Sequence, residues 1–328
     1  MKRNPRMGKE YNTNSMEMEQ PFYVRQRPAP IPFHQFLYDS NKNTVLGRTG
    51  SSWAKIGLFY TIFYLMLAAL VTGCMIVFLS TLNPRIPKWQ LHESLIGTNP
   101  GLGFRPLPPE DNVESTLIWY KGTSEDQYRV WTQALDEFLE PYKKPGSIAG
   151  HGATIFNCDE DSNPPKGQVC EVKIDKLYPC VQENRYNYHR SQPCIFLKLN
   201  KIFGWVPHFY NDTQNLPDNM PEDLTKFIQD TEKTNSKKLN TIWVSCEGEN
   251  PADIENIGPI HYYPMQGFPG YYYPFENAEG YLSPLVAVHF SRPITGIIIN
   301  IECKAWAKNI KHDRSDRIGS VHFELLID

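Results

Sequence analysis

FYTIFYLMLAALVTGCMIVFLSTL, residues 59–82, carries no charged side chain. Extended back to Ile56 and taken as a helix as far as Ser80, the run is about 37 Å long, enough to cross a hydrocarbon core with some tilt. A helix in the core of a soluble domain keeps a polar face over such a length, and this one is apolar all round. A mostly polar stretch precedes it, and its apolar core is too long for a cleaved secretory signal. The run therefore reads as a signal-anchor with one crossing. It divides the chain into a tail at 1–55, a span at 56–82, a stalk at 83–123 and an outer domain at 124–328.

The helix is not uniformly greasy. Tyr60, Tyr64, Ala68 and Thr72 recur every four residues and share a face, Phe59 and Phe63 lie beside them, and Ala69 and Gly73 add a small-residue groove. A solitary anchor needs no such face. Phenol hydroxyls inside a span need hydrogen-bond partners, and small residues let a second helix approach closely, so this side is expected to dock other transmembrane helices. An interfacial aromatic belt accounts for Tyr60 better than for Tyr64.

The remaining composition narrows the class. A net charge of -3 over 328 residues, with no dense basic cluster, excludes a nucleic-acid binder. The 27 prolines and 13% aromatic content favour turns and strands over a helical bundle. Cys74 lies inside the apolar run, and the other six cysteines, at 158, 170, 180, 194, 246 and 303, all follow it. None forms Cys-x-x-Cys, so three disulfides in an oxidising compartment are expected, with the pairing left open by spacing alone. The glycosylation sequon Asn211-Asp212-Thr213 lies on the same side. Lys42, Arg48 and Lys55 before the span and Arg85 and Lys88 after it orient it only weakly. The cysteines and sequon together place the N-terminus in the cytosol and the C-terminal part outside.

Beyond the turn-rich NPGLGFRPLPPEDN, one helix is expected. Ser124-x-x-Gln127 reads as a capping box, followed by Tyr128, Trp131, Leu135, Phe138 and Tyr142 at spacings of three and four, with Pro141 and Pro145 bounding the helix. Elsewhere the period is two. Ile297, Ile299, Ile301 and Cys303 alternate with Asn300, Glu302 and Lys304. Ile242, Val244 and Cys246 do likewise, as do Val321, Phe323, Leu325 and Ile327. PLVAVHF and PCIFLKLNKIFGWVP add two strand candidates. This pattern predicts a mainly β, antiparallel sandwich, with Cys246 and Cys303 suited to a bridge between its sheets. Before the span, FLYDSNKNTVLGRTGSSWAKIG carries enough apolar residues to fold at the membrane surface.

Anchored lumenal proteins are often glycosyltransferases, and Asp159-Glu160-Asp161 has the carboxylate spacing of a divalent-cation site. It lies between Cys158 and an NPPKG turn with no alternating α/β pattern after it, which reads as a solvated acidic loop. No Gly-x-Ser-x-Gly elbow occurs. No catalytic constellation is expected, and no cofactor.

Four stretches together resemble a known family. LGRTGSSWAKIGLFYTIFY, the NPGL that follows the span, QPCIFLKLNKIFGWVP, and YLSPLVAVHF with INIECKAWAKNI and DRIGSVHFELLI are similar to the beta subunits of the sodium/potassium-transporting P-type ATPase and its proton/potassium relative. The resemblance implies a single-pass type II membrane protein of the plasma membrane with an immunoglobulin-like ectodomain carrying an added helix. It implies disulfides Cys158–Cys170, Cys180–Cys194 and Cys246–Cys303, and a glycan on Asn211. It places Phe59, Tyr60, Phe63 and Tyr64 against the catalytic alpha subunit, and Tyr262, Tyr263, Tyr271, Tyr272 and Tyr273, within HYYPMQGFPGYYYP, near one of its outer loops. Read by itself, that tyrosine segment is equally a proline-turned strand edge packed at home. Implied partners are the alpha subunit, membrane lipid and a small single-span regulatory subunit. Cell adhesion through the outer domain is the alternative function, and lumenal sugar transfer a more remote one.

Overall fold

Alternation of apolar and polar side chains resolves into two sheets, and the apolar run resolves into a helix of a separate unit. The computed structural model describes residues 33–40, 42–109, 115–143, 155–313 and 318–328, so the expectation for the tail at 1–32 lies outside the described residues. The chain divides into two units, Met1–Ser80 and Thr81–Asp328.

The first unit holds α1 (Phe33–Leu37), a meander of two-residue strands β1 (Tyr38–Asp39), β2 (Thr44–Val45) and β3 (Arg48–Thr49), and the long helix α2 (Gly50–Ser80). Gly47 takes φ +75 between β2 and β3, a conformation open to glycine, with the Phe36 ring beside it. The helix starts ahead of the expected span at 56–82, because hydropathy marks where a membrane could begin and not where backbone bonding does. Its polar first turn is tied down by Trp53, whose indole N–H donates to the Val45 carbonyl at 2.9 Å.

The second unit runs β4 (Leu102–Arg105), β5 (Leu117–Tyr120), α3 (Glu125–Lys143), β6 (Ile155–Phe156), β7 (Val169–Cys170), β8 (Cys194–Leu199), α4 (Glu222–Thr234), β9 (Thr241–Gly248), α5 (Pro251–Asn256), β10 (Ile260–Tyr263), β11 (Gly267–Pro269), β12 (Val286–Phe290), β13 (Ile298–Trp306) and β14 (Ser320–Ile327). One sheet has the order β10-β12-β8-β4, all antiparallel. The other has the order β11-β9-β13-β14-β5, antiparallel except for the parallel pair β14–β5. Short parallel β6–β7 stands apart. Phe104, Ile195, Val288 and Phe290 of the first sheet share one core with Val244, Ile301, Phe323 and Leu325 of the second. Phe323 packs at 5.0 Å from Phe104 and 6.3 Å from Phe290, ring centre to ring centre, and so joins the two layers.

Several expectations change. The stretch expected as a stalk, 83–123, contains β4 and β5, which are integral strands of the two sheets. Pro141 does not bound α3 but lies inside its last turn, which continues to Lys143. That turn is held from outside the helix: the Tyr142 hydroxyl donates to the Ser283 carbonyl at 3.0 Å, and Lys143 Nζ donates to Gln182 Oε1 at 2.7 Å. At the other end, Gln127 N–H returns to the Ser124 carbonyl, so Ser124 does stand at the helix entry. A second helix, α4, buries Leu224 and Ile228 over Trp243 and Trp306, the outward-facing residues of β9 and β13. Those strands are therefore covered on both faces, and β9 is buried almost throughout instead of alternating. Gly248 lets α5 approach, since a side chain there would meet the Asp253 backbone at 2.4 Å.

Three disulfides are formed, Cys158–Cys170, Cys180–Cys194 and Cys246–Cys303. The last does not bridge the sheets. Cys246 and Cys303 stand directly opposite on the neighbouring strands β9 and β13, with Cα atoms 4.0 Å apart, so the bond staples one sheet to itself. Inward-facing positions on adjacent strands satisfy the same alternation as positions on facing sheets, which is why spacing pointed to the wrong geometry.

Replacing Phe323 by Ala removes the ring that joins the layers and should cost about 3–5 kcal/mol, read as a lowered urea midpoint of the full chain in detergent. A loss under about 1 kcal/mol would show that the layers are held elsewhere. Cys246→Ser with Cys303→Ser opens a loop of 57-residue separation, worth about 4 kcal/mol in the chain-entropy picture. The double variant should be retained in the endoplasmic reticulum, and normal surface delivery would refute the staple.

Candidate functional site

The first candidate surface is the N-terminal half of α2. No residue of this helix is buried, and Phe59, Tyr60, Phe63 and Tyr64 are 62%, 50%, 48% and 59% exposed. Their rings form a plate. Phe59 stacks on Phe63 at 6.2 Å and Tyr60 on Tyr64 at 6.1 Å, while edge-on contacts of 5.4 Å join Phe59 to Tyr60 and Phe63 to Tyr64. The i, i+4 geometry of the helix makes the stacks, and adjacency makes the edges. About two and a half turns further on, a side chain built at Gly73 would meet nothing within 4 Å, so the helix backbone is open to close approach there. The helix, 31 residues long, is the one segment among those described that is long and apolar enough to cross a membrane.

The second candidate surface, HYYPMQGFPGYYYP, behaves differently. Here the chain leaves β10, the edge of one sheet, and enters β11, the edge of the other, closing one side of the domain. All five tyrosines are half-buried. The Tyr262 hydroxyl accepts the Cys246 N–H at 2.8 Å, occupying a β9 backbone donor that β11 does not reach. The Tyr272 hydroxyl donates to the Glu171 carbonyl at 2.8 Å, and its ring lies 4.7 Å from Tyr271. Tyr273 packs edge-on against Trp205 at 5.9 Å, and Tyr263 lies 6.5 Å from His289. Burial pushes the phenols of Tyr262, Tyr271, Tyr272 and Tyr273 above their ordinary range, so all remain neutral donors and acceptors. Packing at home is therefore what these residues do within this chain. Tyr262, Tyr271 and Tyr272 also line a cleft of about 1100 Å³ that runs under Phe227 of α4 and beside Met265, a feature with no mark in the sequence.

Asn211 is exposed, and its Oδ1 accepts a bond from Lys308 Nζ at 3.3 Å, which leaves Nδ2 available for a sugar. Thr213, the hydroxyl residue of the same sequon, is buried and donates to Glu232 of α4. The sequon is thus half surface and half packing.

Asp159, Glu160 and Asp161 form an exposed turn. Asp159 accepts the Asp161 N–H at 2.9 Å, and this bond leads the causes that hold its carboxyl below the usual range. Asp161 pairs with Lys237. Among the described residues no group of three or more His, Cys, Asp or Glu is placed to hold a metal ion.

An aromatic plate on a bare apolar helix, together with a stapled β domain, defines a protein that presents surfaces to others. A family model described as Sodium / potassium ATPase beta chain matches residues 26–323, and the chain belongs to that family. It is 63% identical over 311 residues to the sodium/potassium-transporting ATPase subunit beta-2 of Drosophila melanogaster, covering 94% of this chain and 96% of that relative. Identity to subunit beta-1 of the same fly is 46% over 298 residues, covering 90% and 93%. Identity to human subunit beta-2 is 30% over 315 residues, covering 90% and 93%. The family is that of an accessory, non-catalytic chain.

The split sequon gives a paired test. Asn211→Gln should remove a glycan and leave stability unchanged, whereas Thr213→Ala should remove the glycan and cost about 1 kcal/mol through the lost bond to Glu232. Gel mobility and unfolding midpoints read the two effects, and equal stability of the variants would show that the buried hydroxyl contributes nothing.

Proposed function

We propose that this chain is the non-catalytic beta subunit of a sodium/potassium pump, a single-pass type II protein of the plasma membrane with its N-terminus cytoplasmic. The observation that carries the reading is the family match over 26–323, which takes in both α2 and the two-sheet domain. We read that domain as an immunoglobulin-like sandwich with added helices, lying outside the cell. Three disulfides and an accessible Asn211 support that side of the membrane.

The physical role has three parts. In hydrocarbon, van der Waals packing and hydrogen bonds, not water exclusion, drive helices together. The plate of Phe59, Tyr60, Phe63 and Tyr64 offers both, and among the described residues neither tyrosine hydroxyl has a partner of its own. Covering polar and aromatic groups of the catalytic subunit's helices in this way stabilises that subunit and licenses its delivery. The stapled outer domain caps the outer loops of its partner, with the HYYPMQGFPGYYYP edge as the contacting side. A cap that favours one transport state by about 1–3 kcal/mol shifts apparent potassium affinity about 5–150-fold. ATP hydrolysis belongs wholly to the partner.

Tyr60→Leu with Tyr64→Leu keeps the span apolar and removes both hydroxyls. At about 0.6 kcal/mol for each interhelical bond, assembly should weaken roughly tenfold while membrane insertion is unchanged. The measurement is stoichiometry of the catalytic subunit in a mild-detergent pull-down. Undiminished recovery would remove the docking face from the account.

A further inference from the structure

The segment ahead of the apolar run is folded against the helix it precedes. Leu46 N–H donates to the Leu37 carbonyl at 3.0 Å, β1, β2 and β3 pair in sequence, and Trp53 bonds to Val45 at 2.9 Å. That last bond fixes the meander at the height of the first turn of α2. Trp53 and Lys55 precede Ile56 by about 4.5 Å and 1.5 Å along the helix axis. The meander therefore lies at the level where the apolar run begins.

Its exposed side chains are of two kinds. Phe36, Tyr38, Val45 and Trp53 are 46%, 57%, 48% and 40% exposed, a large apolar display for a surface bathed in water. Lys42, Arg48 and Lys55 are exposed beside them, set against the single carboxylate Asp39 in residues 33–55. No ion pair to these three cations occurs among the described residues. An anionic membrane surface suits both kinds at once. Aromatic rings settle at headgroup depth, apolar side chains enter the headgroup–acyl boundary, and cations meet phosphate and carboxylate groups.

We propose that residues 33–55 form a headgroup clasp that seats the N-terminal end of α2 on anionic phospholipid, with Lys42, Arg48 and Lys55 as the lipid-binding cations and Trp53 as the interfacial anchor. The clasp rests on α2 crossing the bilayer, and neither on the orientation of the chain nor on its partner. Closing the meander onto Trp53 is what brings cations from the β1–β2 turn, β3 and the helix into one layer.

The test uses the full chain in nanodiscs of phosphatidylcholine with a fixed share of phosphatidylserine, one of the two lipids brominated near the carbonyl end of its chains. The difference in tryptophan quenching between the native chain and Trp53→Phe isolates Trp53. Phosphatidylserine should be enriched around Trp53 roughly fivefold at low salt for one fully engaged cation, and the enrichment should fall with added salt. The triple variant Lys42→Gln, Arg48→Gln, Lys55→Gln should bring the two lipids level while leaving insertion intact. Equal quenching by the two lipids in the native chain overturns the proposal, as does loss of lipid contact when the catalytic chain is co-reconstituted. Leu70→Trp in the Trp53→Phe background, quenched by bromine at the chain ends, reports the span separately. Its failure would remove the crossing itself, whereas its success with no phosphatidylserine preference would sink the clasp alone.

Discussion

Hydrocarbon offers no hydrogen-bonding solvent, so any polar group carried into it must be satisfied by protein. That constraint governs the first unit of this chain. A single helix satisfies its own backbone, and α2 does so over 31 residues with side chains that are almost all apolar. Among the exceptions, Tyr60 and Tyr64 carry the largest polar side chains inside the apolar run. Held in a stacked plate with Phe59 and Phe63, they keep their hydroxyls unbonded within the described chain, so the helix is complete as an anchor and incomplete as a solvated surface. In the proposed reading, a partner's helices supply what is missing.

The second unit obeys the opposite rule: every backbone donor and acceptor is best satisfied at home. The Tyr262 hydroxyl taking the Cys246 N–H illustrates it, because β11 is too short to reach that donor. The cross-strand bond between Cys246 and Cys303 then fixes the register of β9 on β13, the two strands covered on both faces. Rigidity of the sheet and rigidity of the tyrosine edge are thus one property. This edge is held by a disulfide, two hydroxyl bonds and a buried tryptophan.

Much of this was legible beforehand. The span, the amphipathic α3 and strands β8, β9, β12, β13 and β14 follow from runs whose period and composition leave little choice. The aromatic face of α2 was visible from spacing, because helix geometry alone brings i and i+4 together. β4 and β5 were not visible. Each is four residues long, too short to show a period, β4 lies among prolines, and each is a strand only because β8 or β14, distant in sequence, lies beside it. α4 escaped because Leu224 and Ile228 are its only buried side chains, and they make sense only over Trp243 and Trp306. The clasp ahead of α2 was legible as a mixture of apolar and basic residues, but not as a folded object.

The residues by themselves determined everything that depends on near neighbours or on solvent: which helix is too apolar for water, which rings stack along it, which strands alternate, and that six cysteines share one side of the span. Only the tertiary structure decided which strands stand next to one another. Alternation records that a side chain faces inward and not what it meets there. Cys246 and Cys303 therefore could not be known to share a sheet, nor Thr213 to be buried against Glu232, nor Trp53 to close a meander over the start of its own helix, until long-range contacts had chosen among partners that the local pattern treats as equal.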